Sequence, residues 1–374
     1  MRATKALIHL DNFRHNLETA RKKAGEGPAI CVPVKADAYG HGAVEIARTA
    51  LENGAGYLAV AAVSEGAELR QADVKAPVFL FSQALPEEMR DIAALELIPF
   101  AGDREAVEAL ADAAAGTSRT LELHLKVDTG MGRMGCRPEE AADLAAFIAS
   151  RKNLRLGGMA THLSVSDSQK SEDLMYTKKQ LARFREAVDS VRALGLDPGL
   201  LHAANSGALC FHEDAFFDLL RPGIFLYGYS PGAGIPGALV SEPVMELRSA
   251  VVFIKKVRKG DAVSYGRLWT APEDAYIATL PAGYADGLPR LLSGRHSVYI
   301  RGRAYPLAGR ICMDQCMVNL GPETSVKRWD EAVIFGPNAE TAADIAAKTG
   351  TIPYEITCNI NKRVPRVYIP YNHG

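Results

Sequence analysis

Three neighbouring stretches carry the strongest signal of the fold: LRLGGM at 154–159, SEDLMYTKKQLARFREAVDSVRAL at 171–194 and LLHA at 200–203. The first and third are short apolar runs, a pattern typical of buried strands. The middle stretch has one charged face and repeats apolar residues at helical spacing, at Leu174, Leu181, Phe184, Val188 and Val191. Ser171 is a possible N-cap of this helix. Together they predict a strand, a crossover helix and a second strand.

The same alternation extends from residue 28 to about residue 225. Eight apolar runs are predicted as strands, at 30–34, 57–61, 78–81, 96–100, 121–127, 154–159, 200–203 and 217–220. Eight parallel strands that alternate with helices over about 200 residues favour an α/β fold closed into a (β/α)8 TIM-like barrel, because closure leaves no unpaired sheet edge. An open, doubly wound sheet is the alternative.

The pattern changes after the glycine- and proline-rich stretch GYSPGAGIPGALV at 228–240. The runs that follow read as closely spaced strands: VMELRSAVVFIKKV, AYIATL, SVYIRG and MVNLG. One helix is predicted at 340–348. We therefore expect two domains, a barrel over 1–238 and a mainly β domain over 239–374.

Composition and charge exclude several classes of protein. The chain has 374 residues, of which 48% are hydrophobic and 23% are charged, as in ordinary folded proteins. Its 43 basic and 44 acidic residues give a net charge of −1, so we expect neither nucleic acid nor a membrane surface as a partner. The six cysteines form no CxxC pair and no cluster with histidines, which indicates mostly buried thiols, no metal site and a reducing compartment. With no signal-peptide pattern, a cytoplasmic location is predicted.

Polar side chains follow several of the predicted barrel strands, where barrel enzymes place their active sites. These residues are Lys35, Asp128, Arg133, His162, Asn205, Ser206 and Arg221. Lys35 follows a strongly apolar strand, where partial desolvation would lower its pKa and make its amine nucleophilic. Alternatively, Lys35 buries only its stem and extends its amine into solvent, which is the more common arrangement for a lone lysine.

The ends of the last two strands bring together small residues and a serine, in the region that barrels often use for phosphate. A reactive lysine beside a phosphate site suggests pyridoxal phosphate, which needs an amine, neutral phosphate donors and a group opposite its ring nitrogen. Lys35, Ser206 with Gly223, and Arg221 could fill these roles. Taken singly, a loop serine or a salt-bridged arginine is usually structural.

Longer motifs carry a resemblance to a known family. The first part of the chain contains VKADAYGHG around Lys35, DTGMGRMG around Arg133, and HAANS followed by RPGIFLYG. The second part contains VSYGRLWTAP around Tyr265, PAGYADGLPR around Tyr284, GRICMDQ around Met313 and IPYEITCNINKRVPRVY around Tyr354. Over 35–368 these motifs closely resemble those of the bacterial alanine racemases.

The resemblance implies a homodimeric, pyridoxal phosphate-dependent enzyme that interconverts L-alanine and D-alanine for peptidoglycan synthesis. Lys35 would carry the cofactor. Further cofactor contacts are implied for Tyr39, Arg133, His162, Asn205, Ser206, Arg221, Gly223, Ile224 and Tyr354. The substrate carboxylate would contact Arg133 and, from the other subunit, the amide of Met313. Lys126 matches a lysine that is carbamylated in some relatives.

Racemisation removes a proton from one face of the α carbon and returns one to the other, so two bases on opposite sides are the economical solution. By the family pattern, Lys35 removes the proton from D-alanine and Tyr265 removes it from L-alanine. Tyr265 would reach the cofactor of the partner protomer. A broader-specificity racemase of the same fold is the alternative. A related decarboxylase is less favoured, because it would present a glutamate in place of Arg221.

Overall fold

Strands and helices alternate along the first part of the chain in the computed structural model, which describes residues 2–115, 119–235 and 238–369. The strands are β1 (Lys5–His9), β2 (Ala29–Pro33), β3 (Tyr57–Val60), β4 (Val78–Leu80), β5 (Leu97–Ala101), β6 (Leu121–Lys126), β7 (Leu154–Ala160), β8 (Leu200–His202) and β9 (Leu219–Leu220). The helices are α1 (Leu10–Ala24), α2 (Lys35–Gly40), α3 (Ala43–Glu52), α4 (Val63–Gln71), α5 (Met89–Ala94), α6 (Arg104–Ala115), α7 (Ala141–Ala149), α8 (Ser171–Ala193) and α9 (Ser206–Phe211).

Eight of these strands form a parallel sheet in the order β8-β7-β6-β5-β4-β3-β2-β9. Across the seam, Asp218 N donates to Leu201 O (3.0 Å) and Arg221 N donates to Ala204 O (2.9 Å), which brings the chain around β9 back to the chain around β8. The sheet is thus nearly closed, and strand order follows chain order around it. The predicted barrel is confirmed over the open sheet.

Helix α8 packs as its sequence pattern predicts but begins differently. Leu181, Phe184, Val188 and Val191 are buried, whereas Leu174 is only half-buried. The predicted Ser171 cap is wrong, because Lys170 is the N-cap residue and makes no side-chain cap bond. Instead, Ser168 Oγ accepts from Lys170 N (3.3 Å) and donates to Asp173 (2.5 Å), which turns the chain into the helix.

The barrel interior is a small core separate from the large core between the strands and the outer helices. Its apolar members are Cys31, Ala59, Phe79, Ile98, Phe100, Ala160 and Leu219. Two histidines share this space, because the rings of His124 and His202 lie 4.8 and 5.4 Å from the Phe79 ring. Barrel interiors are usually filled by branched apolar side chains. The interior of this barrel is therefore more polar than is usual.

The second part of the chain is mainly β, as predicted. Its strands are β10 (Met245–Ala250), β11 (Phe253–Val257), β12 (Ala262–Val263), β13 (Trp269–Thr270), β14 (Ala275–Leu280), β15 (Ser297–Ile300), β16 (Arg303–Pro306), β17 (Cys316–Gly321), β18 (Glu331–Phe335) and β19 (Arg366–Ile369). Its helices are α10 (Ala342–Thr349), at the predicted place, and α11 (Pro353–Cys358), which the sequence analysis missed. The 3-10 helices of the described chain are Pro86–Glu88, Pro138–Glu140, Glu213–Ala215, Tyr265–Arg267, Tyr284–Asp286 and Arg290–Leu292.

The main sheet of this part has the order β16-β15-β18-β10-β1-β19, beside sheets of order β11-β14-β17 and β12-β13. Strand β1 pairs with β10 and β19, so both ends of the described chain meet in this sheet. The division into 1–238 and 239–374 stays a prediction. Residues 1, 116–118, 236–237 and 370–374, which fall within those ranges, lie outside the described residues.

Two further expectations concern the cysteines and membrane contact. Cys31, Cys136 and Cys316 are buried free thiols as predicted, whereas Cys358 is exposed. Among the described helices, none combines the length and apolar character that crossing a bilayer requires.

Candidate active site

The carboxyl ends of the barrel strands surround a cavity of about 520 Å³, a size typical of small-molecule sites. Most of the residues predicted from the sequence line it: Lys35, Tyr39, Arg133, His162, Asn205, Ser206, Arg221, Gly223 and Tyr354. Lys126 lines it as well. Ile224 is buried beside Gly223 and is not among the lining residues. These residues follow or end five strands, β2, β6, β7, β8 and β9, and Tyr354 comes from helix α11.

Lys35 stands at the start of an unusual turn. Residues 36–39 follow it with φ angles of 52 to 55°, the left-handed conformation. Such a turn costs L-residues roughly 1–2 kcal/mol each, so other contacts must stabilise it. The first amide of the turn donates to Glu65 (2.6 Å), and the carboxylate of Asp37 accepts from the first amide of α3 (2.8 Å). This geometry lets both Lys35 and Tyr39 face the cavity.

The environment of Lys35 favours its neutral form. The side chain is half-buried, and burial lowers its pKa below the ordinary value. The positive charge of Arg133 lowers this pKa further, while Glu65 opposes the shift. A neutral amine is the form that attacks a carbonyl or accepts a proton. The geometry therefore supports a reactive lysine more than one that extends into solvent.

Neutral hydrogen-bond donors lie at another side of the cavity. Ser206 Oγ accepts from the amides of Gly223 (2.8 Å) and Phe225 (3.2 Å). A Cβ on Gly223 would lie 2.7 Å from Tyr39 Oη, so the glycine makes room for that hydroxyl. Burial raises the pKa of Tyr354 to about 12 and raises that of Tyr39 too, which keeps both phenols protonated. Hydroxyls and amides of this kind can hold a phosphate.

Asn205 helps to position this group. Its Oδ1 accepts from Ala208 N (3.0 Å), which caps helix α9, and from Ser166 Oγ (2.7 Å). Its amide donates to Leu163 O (3.1 Å). Because the Asn205 side chain bonds to protein groups on both sides, it holds the neighbouring Ser206 in place.

Arg221 lines the cavity where it meets the barrel interior and is only 6% exposed. Its Nη2 donates to Thr161 O (2.8 Å) and Ala203 O (3.1 Å), and its Nη1 donates to His202 Nδ1 (2.8 Å). Burial lowers the pKa of Arg221 to about 10. The guanidinium therefore remains charged at neutral pH.

Lys126, His162 and Arg133 lie around this arginine. Burial lowers the pKa of Lys126 well below its ordinary value, and the charges of Arg221 and Arg133 act in the same direction. Burial likewise keeps the pKa of His162 well below its usual range. Arg133 is exposed on the loop after β6, where Asp128 Oδ1 accepts from two loop amides at 3.0 Å each. The cavity is thus suited to an anionic ligand.

Two predicted residues lie elsewhere. Among the described residues, those lining the cavity include neither Tyr265, which is 72% exposed, nor Met313, which is 53% exposed. Left-handed φ angles at Ser264 (68°) and Arg267 (51°) flank the tyrosine, and Ser264 Oγ donates to Arg310 O (2.6 Å). Strained backbone of this kind persists where a loop is tightly held, often at functional sites. The loop thus presents Tyr265 to solvent in a defined position.

Two residues next to the site are not among those predicted from the sequence. His124 and His202 are fully buried, and His202 contacts Arg221 directly. The signal for His124 was the alternation of strand β6, in which His124 and Lys126 point to the same side. A polar residue at every second position of an otherwise apolar barrel strand marks the interior face.

Comparison with known proteins agrees with this geometry. Family models described as "Alanine racemase, N-terminal domain" and "Alanine racemase, C-terminal domain" match residues 8–231 and 244–368. An alanine racemase of Treponema denticola is 47% identical, covering 99% of each chain. The solved alanine racemase of Clostridium difficile 630 is 35% identical with a TM-score of 0.94, covering 99% of this chain and 96% of that one. The solved alanine racemase of Streptomyces lavendulae is 36% identical with a TM-score of 0.93, and the match covers 100% of this chain and 98% of that one. With both parts of its fold and nearly its full length matched, the chain belongs to the alanine racemase family.

Proposed function

We propose that the chain interconverts L-alanine and D-alanine with pyridoxal phosphate bound in the cavity at the strand ends of the barrel. The observation that carries this proposal is a half-buried lysine of lowered pKa that shares one cavity with a buried arginine and neutral donors. Family membership supports the same reaction, and supply of D-alanine for peptidoglycan is the role known for the family.

The cavity residues fit the parts of this cofactor. The hydroxyls of Ser206, Tyr39 and Tyr354 and the amides of Gly223 and Ile224 would hold the phosphate, since neutral donors suit an anion in a buried site. His162 would pack beside the ring, Arg221 would face the pyridine nitrogen, and Arg133 would bind the phenolic oxygen. When bound, the cofactor withdraws electrons from the α carbon of the attached amino acid and makes its C–H bond acidic.

Two residues of the protein would move the proton. The Lys35 amine would remove it from the α carbon of D-alanine, and the Tyr265 phenolate would remove it from L-alanine. Once one base has removed the proton from one face, the conjugate acid of the other base would donate its own proton to the opposite face. A tyrosine has an ordinary pKa of about 10, so neighbouring positive charge must favour its phenolate. The guanidinium groups of Arg133 and Arg221 at the cavity would supply that charge.

Arg221 would restrict the reaction. A guanidinium keeps its proton at neutral pH, so Arg221 can donate a hydrogen bond to the ring nitrogen without protonating it. Electron withdrawal by the ring is then weaker than with an acidic partner, which disfavours transamination and decarboxylation. Three acceptors hold the buried guanidinium in place, so the same group would always face the ring nitrogen.

The exposure of Tyr265 and Met313 supports a site shared between two copies of the chain. A second copy would bring its Tyr265 over the cavity, opposite Lys35, and its Met313 amide near Arg133 for the substrate carboxylate. The homodimer would then be required for activity. The predicted cytoplasmic location stays a prediction.

Substrate breadth is the direct test. The full chain, purified with pyridoxal phosphate, is incubated with a panel of L-amino acids, and the D-enantiomers are measured by chiral chromatography. We expect rapid conversion of alanine and slow conversion of larger amino acids. Equal rates across the panel would identify a broader-specificity racemase instead. No conversion of any amino acid would contradict the proposed function.

A further inference from the structure

A continuous row of polar side chains runs from the cavity through the barrel interior. We call Arg221, His202, His124 and Glu122 the polar column. Arg221 Nη1 lies 2.8 Å from His202 Nδ1, and His202 Nε2 lies 2.8 Å from His124 Nδ1. His124 Nε2 lies 3.4 Å from a carboxylate oxygen of Glu122. Because Glu122 is near the amino end of β6, the column connects the cavity to the opposite end of the barrel.

The contacts of the polar column allow only one set of proton positions. A guanidinium only donates, so His202 Nδ1 must accept and its proton must be on Nε2. That proton points at His124 Nδ1, which must accept in turn, so the His124 proton is on Nε2. His124 Nε2 then donates to the carboxylate of Glu122. Every donor therefore points away from Arg221, and the chain of donors ends on an anion.

Burial and charge agree with these proton positions. Both imidazoles are fully buried, and burial lowers the pKa of His124 and of His202, so both are neutral at pH 7. The hydrogen bond from His124 is the largest of the effects that lower the pKa of Glu122. Glu122 also forms an ion pair with Arg155, so it is an ionised acceptor. Hydrogen bonds that point the same way in a low-dielectric interior strengthen one another.

The neighbouring strand leaves room for the polar column. A Cβ on Gly157 would collide with the Glu122 side chain, and a Cβ on Gly158 would collide with the His124 ring. The pairing of β6 with β7 is irregular at this point, because Leu123 pairs with Leu156 but His124 pairs with Gly158. Glycine weakens a strand and is often found where another group must approach the backbone closely. The two glycines and the bulge therefore indicate that strand β7 accommodates the side chains of the polar column.

We propose that Glu122 and His124 are positioning residues for Arg221, acting through His202. The Glu122 carboxylate holds the His124 proton on Nε2, so His124 Nδ1 is left to accept. His202 then keeps its proton on Nε2, and its Nδ1 is free to accept from Arg221. Without this acceptor, a proton on His202 Nδ1 would oppose the N–H group of Arg221 and turn the guanidinium away from its place at the cavity. The inference rests on the proposed function for the role of Arg221, whereas the proton positions do not depend on it.

The proton positions can be measured directly. The full chain is labelled with ¹⁵N-histidine, and long-range ¹H–¹⁵N NMR spectra, with and without pyridoxal phosphate, report which ring nitrogens are protonated. We expect His124 and His202 to be neutral with protons on Nε2 in both samples. A proton on His202 Nδ1, or a doubly protonated ring, would overturn the proposal without any variant. Because the cofactor-free sample suffices, this result is separate from a failure of the proposed function.

Glu122→Leu removes the terminal acceptor, and Glu122→Gln keeps a carbonyl oxygen that can still accept. We expect the leucine variant to show mixed histidine tautomers and a kcat for alanine lower by about three- to tenfold, the worth of roughly one hydrogen bond, with KM unchanged. The glutamine variant should recover most of the loss. Glu105→Leu, the same change on an exposed position of α6, should behave as the unmodified chain.

A second variant tests the polar column without altering its chemistry. Gly157→Ala keeps the carboxylate but displaces it from His124, so it should reproduce the tautomer mixture and the lower kcat. This variant replaces Glu122→Leu if the leucine variant does not fold. Wild-type tautomers and wild-type kcat in a folded Glu122→Leu or Gly157→Ala protein would overturn the proposal. A change in KM alone would also overturn it, because no residue of the column other than Arg221 lines the cavity.

Discussion

The reactivity proposed for Lys35 is explained by its place in the chain. It is the first residue after an apolar strand, its stem is half-buried, and the left-handed turn that follows directs it to the cavity. Desolvation and the nearby Arg133 both disfavour its charged form. This environment therefore favours the neutral amine, which is the form that the proposed reaction needs.

Lys35→Ala should therefore abolish the visible absorbance of the bound cofactor and lower the racemisation rate by at least about 10²–10⁴-fold. The measurements are absorbance spectra of the purified variant and a chiral assay with alanine. Lys152→Ala, at an exposed lysine, is the matched control and should keep both signals. A Lys35→Ala protein that keeps the cofactor absorbance would count against the assignment.

Tyr265→Phe removes only a hydroxyl from an exposed ring, so folding should be unaffected. We expect racemisation in both directions to fall by about 10²–10⁴-fold, because each direction needs both bases. The cofactor should stay bound, as its absorbance would show. Undiminished two-way racemisation by this variant is incompatible with the two-base scheme. Tyr176→Phe, at another exposed tyrosine, serves as the control.

Some of the candidate site residues can be predicted from the sequence pattern, and others only from the family resemblance. Lys35, Ser206 and Arg221 could be found because they follow apolar strands, and strand ends meet at one face of a barrel. Tyr265 could not be found in this way, because it lies on a short loop of the second part of the chain and follows no barrel strand. Lys35, the other proposed base, is far from it in sequence. His124 and His202 were missed because each sits inside a strand rather than after one.

Among the elements, the turn formed by residues 36–39 was not predictable. Alanine, aspartate and tyrosine have no intrinsic preference for left-handed helix, and the conformation is held by contacts with Glu65 and the start of α3. The barrel strands, by contrast, were predicted to within one or two residues, because each is a local apolar run bounded by polar residues. Only the last strand was clearly overestimated, since β9 has two residues where four were expected.

Gly223→Ala tests the element that carries the neutral donors. The added Cβ would lie 2.7 Å from Tyr39 Oη and displace that hydroxyl. We expect the dissociation constant for pyridoxal phosphate to rise by up to about tenfold, the worth of one hydrogen bond. Gly56→Ala adds the same methyl group where the nearest atom is 3.7 Å away, and should leave the constant unchanged. Equal affinities of both variants would show that Tyr39 does not contribute.

In the whole molecule, the pairing of strands that are distant in sequence could not be predicted from local sequence patterns. The barrel follows from local alternation, but β1 joins the sheet of the second part through pairs such as Lys5 with Arg248. No periodicity in either segment indicates a partner so far along the chain. The proposed sharing of sites between two copies is equally hidden from local patterns, and it rests on the family resemblance and on the exposure of Tyr265 and Met313.

Buried histidines predict how stability depends on pH. Burial lowers the pKa of His41 to about 4 and also lowers the pKa values of His124, His162 and His202. In the unfolded chain these groups titrate near 6.5, so below that pH the unfolded state binds protons that the folded state does not. The stabilising effect is complete above pH 6.5 and is lost as pH falls toward 4.

His41 should reduce the free energy of unfolding by up to about 1.4 kcal/mol per pH unit as pH falls from 6.5 toward 4, and the other three histidines act in the same direction. Urea unfolding of the cofactor-free protein at fixed concentration, between pH 7 and pH 4.5, measures the effect. A His41→Asn variant should show a smaller slope, by one proton. A free energy of unfolding that stays constant across this range would contradict the assignment of these histidines as neutral.

In the proposed enzyme, each site takes Lys35 from one copy of the chain and Tyr265 from the other. Lys35→Ala and Tyr265→Phe chains, each inactive alone, are unfolded, mixed in equal amounts and refolded together with pyridoxal phosphate. If sites are shared, a mixed dimer of C2 symmetry has one doubly altered site and one intact site, so the mixture should recover about a quarter of the unmodified activity. If both bases come from the same copy, every site lacks one of them, and the mixture would remain inactive.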